Sequence, residues 1–218
     1  RTTTLLCDTP GVPTDESNLV MKAVREFEKA YGRKAKQKIT LTKNIPHGAG
    51  LSGGSADAAF TLKMLNEMFS LSLSERQLAE YASRLGSDCA FFIYNRPMRG
   101  QGRGEILTPY ELEGLDYGQE PDGKPVTHSI QVVTPAGIAV STADAYRGIL
   151  PHMPEMPLME VLEKPVSQWQ ELLVNDFEET VFAKYPELAA IKLSLYESGA
   201  EYACMSGSGS ALFAIYRD

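Results

Sequence analysis

The sequence predicts an α+β fold of two domains, and three observations lead to this prediction. Helical patterns of apolar residues alternate irregularly with short strand patterns, which is typical of a two-layer α+β protein. The length of 218 residues corresponds to one or two domains. Glycine, proline and acidic residues gather between Thr108 and Pro125 and indicate a linker. We therefore expect domains at residues 1–118 and 119–218.

Composition and charge exclude several classes of protein. Hydrophobic residues make up 43% of the chain and charged residues 22%, an ordinary mixture for a globular protein. No apolar run approaches the roughly 20 residues that a membrane-spanning helix needs. The net charge of −7 disfavours nucleic acid as a partner. The basic stretch at 33–38 lacks interleaved aromatic residues and indicates a solvated helix end. We expect neither a nucleic-acid nor a membrane partner.

The cysteines and histidines show no spacing typical of a disulfide framework or a metal site. The three cysteines are Cys7, Cys89 and Cys204, an odd number without a C-x-x-C pair. This pattern predicts reduced thiols in a cytoplasmic protein. The three histidines are equally scattered, which argues against a structural zinc site.

The first half of the chain contains clear helix signals. Apolar residues recur at helical spacing over Leu19–Tyr31, and Gly32 is expected to end that helix. Ile39–Leu41 alternates with threonines as a short strand does. A helix is expected over Ala56–Phe69, and Ser74–Gln77 forms a capping box that should start another, ending near a glycine at position 86.

The second half predicts strands at both ends and helices between them. A hairpin is expected around the glycine at position 137, and Ser141 is a candidate helix cap. The predicted strands are Ile130–Val133, Ile138–Val140, Tyr202–Met205 and Ala211–Tyr216, and the predicted long helices are Val166–Phe182 and Pro186–Ser198.

A glycine-rich segment from Pro46 to Ala59 is the most informative part of the sequence. It lies between a predicted strand and a predicted helix. Glycine allows positive φ and close approach of the backbone to a ligand. Successive backbone N–H groups form an anion-binding concavity, and the following helix adds partial positive charge at its N-terminus. The segment therefore predicts phosphate binding. We expect Lys43, which precedes it, to lie on the surface at a strand end.

Two common nucleotide-binding loops and a plain surface turn fit this segment less well. A Walker A loop requires a lysine, and none follows these glycines. The residues at 48–53 match the short G-x-G-x-x-G pattern, but no second strand of a βαβ unit follows at the right distance. A flexible surface turn is disfavoured because a strand and an apolar helix flank the segment.

Two further segments could contribute to the same chemistry. Asp88 follows the helix-ending Gly86 and precedes an apolar stretch. An aspartate at such a position either caps a helix or offers a carboxylate to a proton or a metal ion. The second glycine-rich segment, Met205–Ala211, is either a wide hairpin turn or a second backbone cradle for phosphates.

In this order, the three segments resemble those of the GHMP kinases. Pro46–Ala59 is similar to the family's central motif P-x-G-x-G-L-G-G-G-S-A, and Met205–Ala211 resembles its C-terminal glycine-rich motif. Gly102–Glu105 and Asn175–Glu178 add matches to G-R-G-E and N-D-F-E. The resemblance extends from about residue 10 to the end, and it is strongest to the members that act on 4-diphosphocytidyl-2-C-methyl-D-erythritol.

The resemblance implies an ATP-dependent kinase that uses Mg²⁺. Its N-terminal domain would be like ribosomal protein S5, its C-terminal domain ferredoxin-like, and its site would lie in the cleft between them. The γ-phosphate of ATP would pass to the C2 hydroxyl of that substrate, in the non-mevalonate isoprenoid pathway of a bacterium. Asp88 would be the catalytic base, and Ser55 would also ligate Mg²⁺. The residues implied to bind ATP are Pro46, Gly48, Ala49, Gly50, Leu51, Ser52, Gly53, Gly54, Ser55, Gly207, Ser208 and Gly209.

The chain departs from the family pattern at two places. The family usually has glycine where this chain has Ser52. A Cβ is tolerated at this position if φ stays negative. We therefore expect Ser52 to have a negative φ, with a small shift of the backbone. Family members also begin with an A-K-I-N-like motif, whose lysine pairs with the catalytic aspartate and the phosphates, followed by a tyrosine and a histidine that recognise cytosine. This chain starts at Arg1 without that motif, and we expect its first domain to be incomplete.

The sequence leaves two alternative functions open. The chain could be another small-molecule GHMP kinase, acting on mevalonate, homoserine or a sugar. It could also be a non-catalytic fragment that binds a nucleotide, because the first motif is missing. The G-R-G-E and N-D-F-E sequences favour the diphosphocytidyl substrate over other small molecules.

Overall fold

The computed structural model describes residues 2–111, 127–150 and 153–218, which form two compact units. In the described part, unit 1 contains residues 2–47 and 52–111, and unit 2 contains 48–51, 127–150 and 153–218. The predicted linker lies mostly outside the described residues, and so does the predicted domain boundary at 118, which stays a prediction. No helix within these ranges is long and apolar enough to cross a membrane.

Unit 1 combines four helices with two small sheets in its described residues. One sheet pairs two parallel strands, at 4–7 and 38–41, and the other is an antiparallel hairpin of strands at 98–101 and 106–109. The elements are β1 (Thr4–Cys7), α1 (Leu19–Tyr31), β2 (Lys38–Leu41), α2 (Gly53–Met68), α3 (Glu75–Ala82), α4 (Cys89–Tyr94), β3 (Met98–Gln101) and β4 (Ile106–Pro109).

Most of the predicted starts and ends of the helices in unit 1 are confirmed. The side chain of Asn18 caps α1 by accepting a hydrogen bond from the Val20 amide, and Gly32 ends the helix in the left-handed conformation at φ +61°. Both hydrogen bonds of the predicted capping box are present at Ser74 and Gln77. Helix α3 ends at Ala82, four residues before the predicted glycine, because a series of short turns follows it.

Small side chains allow the helices of unit 1 to pack closely. Alanines on α1, α2 and α3 are fully buried at their mutual contacts, and Cys89 and Ile93 of α4 join the same core. The core residues are Ala23, Ala58, Ala59, Leu62, Leu78, Ala79, Ala82, Cys89, Ala90 and Ile93. This core fixes the start of α4 relative to α2.

A buried carboxylate ties the end of α1 to the following loop. Glu28 accepts hydrogen bonds from the Ala35 amide at 3.0 Å, from Arg25 at 2.9 Å and from Lys34 at 3.1 Å. Burial raises the pKa of Glu28, but these three donors together outweigh burial, and the pKa lies below its ordinary value. The ionised form therefore stabilises the fold.

Unit 2 is built on a three-stranded antiparallel sheet, in which the last strand, β7 (Leu212–Arg217), lies between β5 (His128–Val133) and β6 (Tyr202–Met205). Its elements are β5 (His128–Val133), α5 (Thr142–Gly148), α6 (Leu158–Leu162), a 3₁₀ turn (Val166–Gln168), α7 (Phe177–Lys184), α8 (Pro186–Glu197), β6 (Tyr202–Met205) and β7 (Leu212–Arg217). Successive residues of β6 enter two different cores, since side chains alternate across a strand: Ala203 packs with Leu188 and Leu195, whereas Tyr202 packs with Trp169.

One predicted hairpin in unit 2 is wrong. Residues 138–140 form no strand, and β5 pairs with β7 instead. The backbone at 138–140 serves the second glycine-rich segment, because the Ser210 hydroxyl donates to the Ile138 carbonyl at 2.6 Å. Val140 also lies 3.4 Å from the position that a Cβ on Gly209 would occupy.

The predicted helix over Val166–Phe182 is also wrong as a continuous element. It divides into the 3₁₀ turn and α7, because two side chains of the segment between them bond to the backbone of neighbouring residues. The indole of Trp169 donates to the Lys164 carbonyl at 2.9 Å, and the Asn175 side chain accepts from the Phe177 amide at 3.0 Å at the start of α7.

We expect Glu28→Gln to lower the free energy of unfolding by about 1–3 kcal/mol at pH 7, since a charged hydrogen-bond acceptor is lost at a buried site. The carboxylate contributes its stability above the ordinary pKa of 4.5 and loses it as pH falls through the lower folded value. The difference should therefore shrink toward pH 3. Urea unfolding at both pH values measures it.

The matched control is Glu67→Gln, because Glu67 is exposed on α2. It should change the free energy of unfolding by less than about 0.5 kcal/mol at either pH. An equal loss for Glu28→Gln at pH 7 and pH 3 would contradict the assigned role of its charge.

Candidate active site

The first glycine-rich segment leads from β2 into α2, as predicted. Gly48 and Gly50 both have φ +73°, which glycine adopts without steric cost. Helix α2 begins at Gly53, three residues before the predicted start. Within the described ranges, the amides of Gly50, Leu51, Gly53 and Gly54 donate to no protein acceptor. They are therefore available to an anionic ligand.

Residues of the two glycine-rich segments contact each other within unit 2. The Ala49 carbonyl accepts from the Ala211 amide at 2.9 Å, and the Gly50 carbonyl accepts from the Ser206 hydroxyl at 3.0 Å. A Cβ on Gly50 would lie 2.2 Å from the Ser206 carbonyl oxygen and 2.7 Å from that of Gly209. Gly50 must therefore lack a side chain for the two segments to meet.

The second segment is a hairpin turn with free amides. The Ser206 amide donates to the Ala211 carbonyl at 2.8 Å, and the Gly209 amide donates to Ser206 at 3.0 Å. The amides of Gly207 and Ser208 have no acceptor among the described residues. The segment is thus a hairpin turn whose free amides could also hold a phosphate. Its structure is compatible with both interpretations, a wide turn and a backbone cradle.

Two residues to which sequence reasoning assigned no role support this turn. Asn175 donates to the carbonyls of Met205 and Gly207, both at 2.8 Å. The buried carboxylate of Glu178 accepts from the Met205 amide at 2.7 Å. In the sequence, Asn175 and Glu178 stand out only as the ends of the match to N-D-F-E. Glu178 is in addition an acidic residue on α7, a helix that packs on the sheet.

Asp88 lies in unit 1 at the start of α4, but it does not cap that helix. Its side chain makes no capping hydrogen bond and is exposed. Its Oδ2 accepts a hydrogen bond of 2.5 Å from the Ser52 hydroxyl, and its Oδ1 lies 3.8 Å from the position of a Cβ on Gly104. This geometry favours the interpretation of Asp88 as a carboxylate available to a ligand.

The expectation of a negative φ at Ser52 is wrong. Ser52 has φ +49° and ψ 31°, which is the left-handed conformation. A residue with a Cβ adopts it at a cost of about 1–2 kcal/mol. The hydrogen bond to Asp88 is of a size that offsets that cost, since hydrogen bonds to charged groups contribute about 1.5–3 kcal/mol.

The expectation for Lys43 is wrong as well. Its side chain is only 7% exposed, and its Nζ lies 2.6 Å from Oδ2 of Asp57. This ion pair joins the residues that follow β2 to the first turns of α2. The Lys43 ammonium also lies 3.2 Å from the position of a Cβ on Gly53. The lysine is placed by a partner 14 residues away, which local sequence does not reveal.

Ser55 offers a hydroxyl in the first turn of α2. Burial raises the pKa of the Cys89 thiol, and the Ser55 hydroxyl acts in the opposite direction. The described residues contain no group of three His, Cys, Asp or Glu side chains that could hold a metal ion. A hydroxyl at a helix start fits Mg²⁺ when nucleotide phosphates supply further oxygen ligands.

Comparison with known proteins identifies the family. The sequence matches the profile described as GHMP kinases N terminal domain over residues 18–96 and that described as GHMP kinases C terminal over residues 158–218. It is 46% identical over 201 residues to a protein of Bacteroides fragilis named 4-diphosphocytidyl-2-C-methyl-D-erythritol kinase, covering 92% of this chain and 69% of the relative. The chain belongs to the GHMP kinases.

Solved structures agree with this assignment. The crystal structure of a 4-(cytidine 5'-diphospho)-2C-methyl-D-erythritol kinase matches this GHMP kinase with a TM-score of 0.73 and 30% identity, over 98% of this chain and 73% of that one. The mevalonate kinase of Methanococcus jannaschii has a TM-score of 0.64 at 12% identity, over 99% of this chain and 76% of that one, and shares the fold. The predicted family, α+β fold and kinase activity are confirmed.

We expect Gly50→Ala to weaken the binding of a non-hydrolysable ATP analogue at least tenfold. The added Cβ would meet two carbonyl oxygens at 2.2 and 2.7 Å, and backbone atoms cannot move aside as a flexible side chain can. Separation of the two segments would then displace the free amides. Isothermal titration calorimetry measures the affinity.

Gly137→Ala is the matched control, because Gly137 lies outside the residues implied to bind ATP. Gly137 has a similar φ of +76°, but a Cβ there would have nothing within 4 Å. It carries only the cost of the left-handed conformation, about 1–2 kcal/mol of stability. Equal losses of affinity in the two variants would show that contact between the segments is unimportant.

Proposed function

We propose that this GHMP kinase transfers the γ-phosphate of ATP to the C2 hydroxyl of 4-diphosphocytidyl-2-C-methyl-D-erythritol, the ATP-dependent step of the non-mevalonate isoprenoid pathway. The observation that carries this proposal is the 46% identity over 92% of the chain to a relative named for that substrate. Structures of mevalonate and homoserine kinases are 12–18% identical, which supports the shared fold but not their substrates.

Backbone amides are the proposed ligands of the ATP phosphates. Unit 2 presents free amides at Gly50, Leu51, Gly207 and Ser208 on two segments that are bonded together. Backbone dipoles attract phosphate without basic side chains, so the site is compatible with a net charge of −7. The remaining residues of the predicted ATP set, from Pro46 to Ser55 and at Gly209, follow from the family resemblance.

Asp88 is the proposed general base. Phosphoryl transfer depends mainly on positioning and charge neutralisation. As the substrate oxygen bonds to the γ-phosphorus, the bond between that phosphorus and the leaving oxygen of ADP breaks, and the hydroxyl proton passes to the carboxylate. An exposed aspartate that makes no helix cap is suited to this task.

Ser55 is the proposed protein ligand of Mg²⁺. Its hydroxyl would share the ion with the phosphates of ATP, and a bound Mg²⁺ supplies neutralisation of phosphate charge. Gly53 and Gly54, which precede it in the first turn of α2, keep their free amides for the phosphates themselves.

The proposed setting is the cytoplasm of a bacterium. Cys7, Cys89 and Cys204 are all free thiols, as is typical of a reducing compartment. The acidic net charge favours small-molecule partners over nucleic acids.

Release of ADP, measured in a coupled assay, tests the proposal. ADP should form rapidly only when 4-diphosphocytidyl-2-C-methyl-D-erythritol is added to the protein with ATP and Mg²⁺. Asp88→Ala should lower kcat by about 10²–10⁴-fold, the usual contribution of a general base.

Glu80→Ala removes an exposed carboxylate of α3 and should leave kcat unchanged. ATP turnover that ignores the added substrate would refute the proposed reaction. A wild-type kcat in Asp88→Ala would remove Asp88 from its proposed role without affecting the substrate assignment.

A further inference from the structure

The contact between Ser52 and Asp88 joins the first glycine-rich segment to the proposed base. Ser52 occupies the residue before α2, yet its side chain makes no capping bond to that helix. Its hydroxyl donates instead to Oδ2 of Asp88, 36 residues further along the chain, at 2.5 Å. Both residues belong to unit 1.

This hydrogen bond distinguishes the two oxygens of the Asp88 carboxylate. Oδ2 is bound to Ser52, whereas Oδ1 accepts no hydrogen bond from the described residues. Oδ1 faces Gly104, where a Cβ would lie 3.8 Å from it. Because glycine has no side chain, the space beside Oδ1 stays open. The helix start imposes no further restraint, because Asp88 makes no capping bond. The Ser52 hydroxyl is thus the side-chain contact that orients the carboxylate.

We propose that Ser52 is a positioning residue, whose hydroxyl holds Oδ2 of Asp88 so that Oδ1 is presented to the substrate hydroxyl. The inference rests on the proposed function, since it assumes that Asp88 accepts the substrate proton. It assigns the Ser52 hydroxyl to the carboxylate and not to a phosphate of ATP. The Ser52 backbone keeps its place in the phosphate-binding segment.

The left-handed backbone of Ser52 makes two substitutions informative. Ser52→Ala removes the hydroxyl and keeps the unfavourable conformation at φ +49°. Ser52→Gly removes the hydroxyl and relieves the conformation. If only the backbone matters, the glycine variant will retain wild-type activity. If the hydroxyl matters, both variants will lose activity although the glycine variant is the more stable.

Steady-state kinetics should show about a tenfold loss of kcat in both variants, the effect expected for one hydrogen bond. The KM values for ATP and for the acceptor should change less than twofold, because the binding groups stay in place. Ser72→Gly is the matched control, because Ser72 is an exposed serine at φ +55° in the loop after α2. It should raise thermal stability and leave kcat unchanged.

A double-mutant cycle then tests the pairing with Asp88. Ser52→Ala should change the residual kcat of Asp88→Ala less than twofold, because the partner is already gone. A tenfold loss in that background, a wild-type kcat in Ser52→Gly, or a raised KM for ATP with kcat unchanged would each overturn the inference.

A spectroscopic measurement separates this inference from the proposed reaction. The ¹³Cγ resonance of Asp88 should shift in Ser52→Ala and stay unchanged in Ser72→Ala, with no substrate present. An unchanged Asp88 resonance in Ser52→Ala would overturn the contact, even in an enzyme that turns over as proposed. Absence of substrate-dependent turnover in the wild type, with the resonance shifted, would refute the proposed reaction, and with it the catalytic purpose of the contact.

Discussion

The contact between Gly50 and the turn at Ser206–Ala211 is the constraint on which the proposed phosphate-binding backbone depends. Two hydrogen bonds from that turn hold the carbonyls of Ala49 and Gly50, and the missing side chain of Gly50 allows the approach. As a result, residues 48–51 belong to unit 2, although both of their chain neighbours belong to unit 1. The free amides of the two segments are thereby presented together, which neither segment achieves alone.

Polar side chains elsewhere in unit 2 support this contact by hydrogen bonds between the turn and the surrounding backbone. Asn175 and Glu178 bind the backbone around Met205 and Gly207, and Ser210 binds the carbonyl of Ile138. These bonds fix the turn before any ligand arrives, so little conformational entropy is lost on binding. They also explain the irregular backbone at 138–140, because the Ile138 carbonyl binds the turn and not a neighbouring strand.

Elements whose caps lie in adjacent residues could be predicted from the sequence. Several of the predictions that are wrong concern residues placed by partners far away in the sequence. Helices α1 and α3 have their caps within the adjacent residues, at Asn18 and at Ser74, and their starts were predicted correctly. Lys43 and Ser52 depart from the sequence prediction because each is placed by a carboxylate distant in sequence. The proposal that both glycine-rich segments bind phosphate follows from composition and order, whereas their contact and the support from Asn175 could not be predicted, since both depend on tertiary packing.

Amide hydrogen exchange at Ala211 tests the central constraint most directly. The Ala211 amide donates to Ala49, whereas the Ser206 amide closes the hairpin turn itself by donating to Ala211. If contact at Gly50 holds the two segments together, Gly50→Ala should speed exchange at Ala211 about tenfold or more while Ser206 keeps its protection, because only the first bond crosses between the segments. Unchanged exchange at Ala211 in Gly50→Ala would contradict the account.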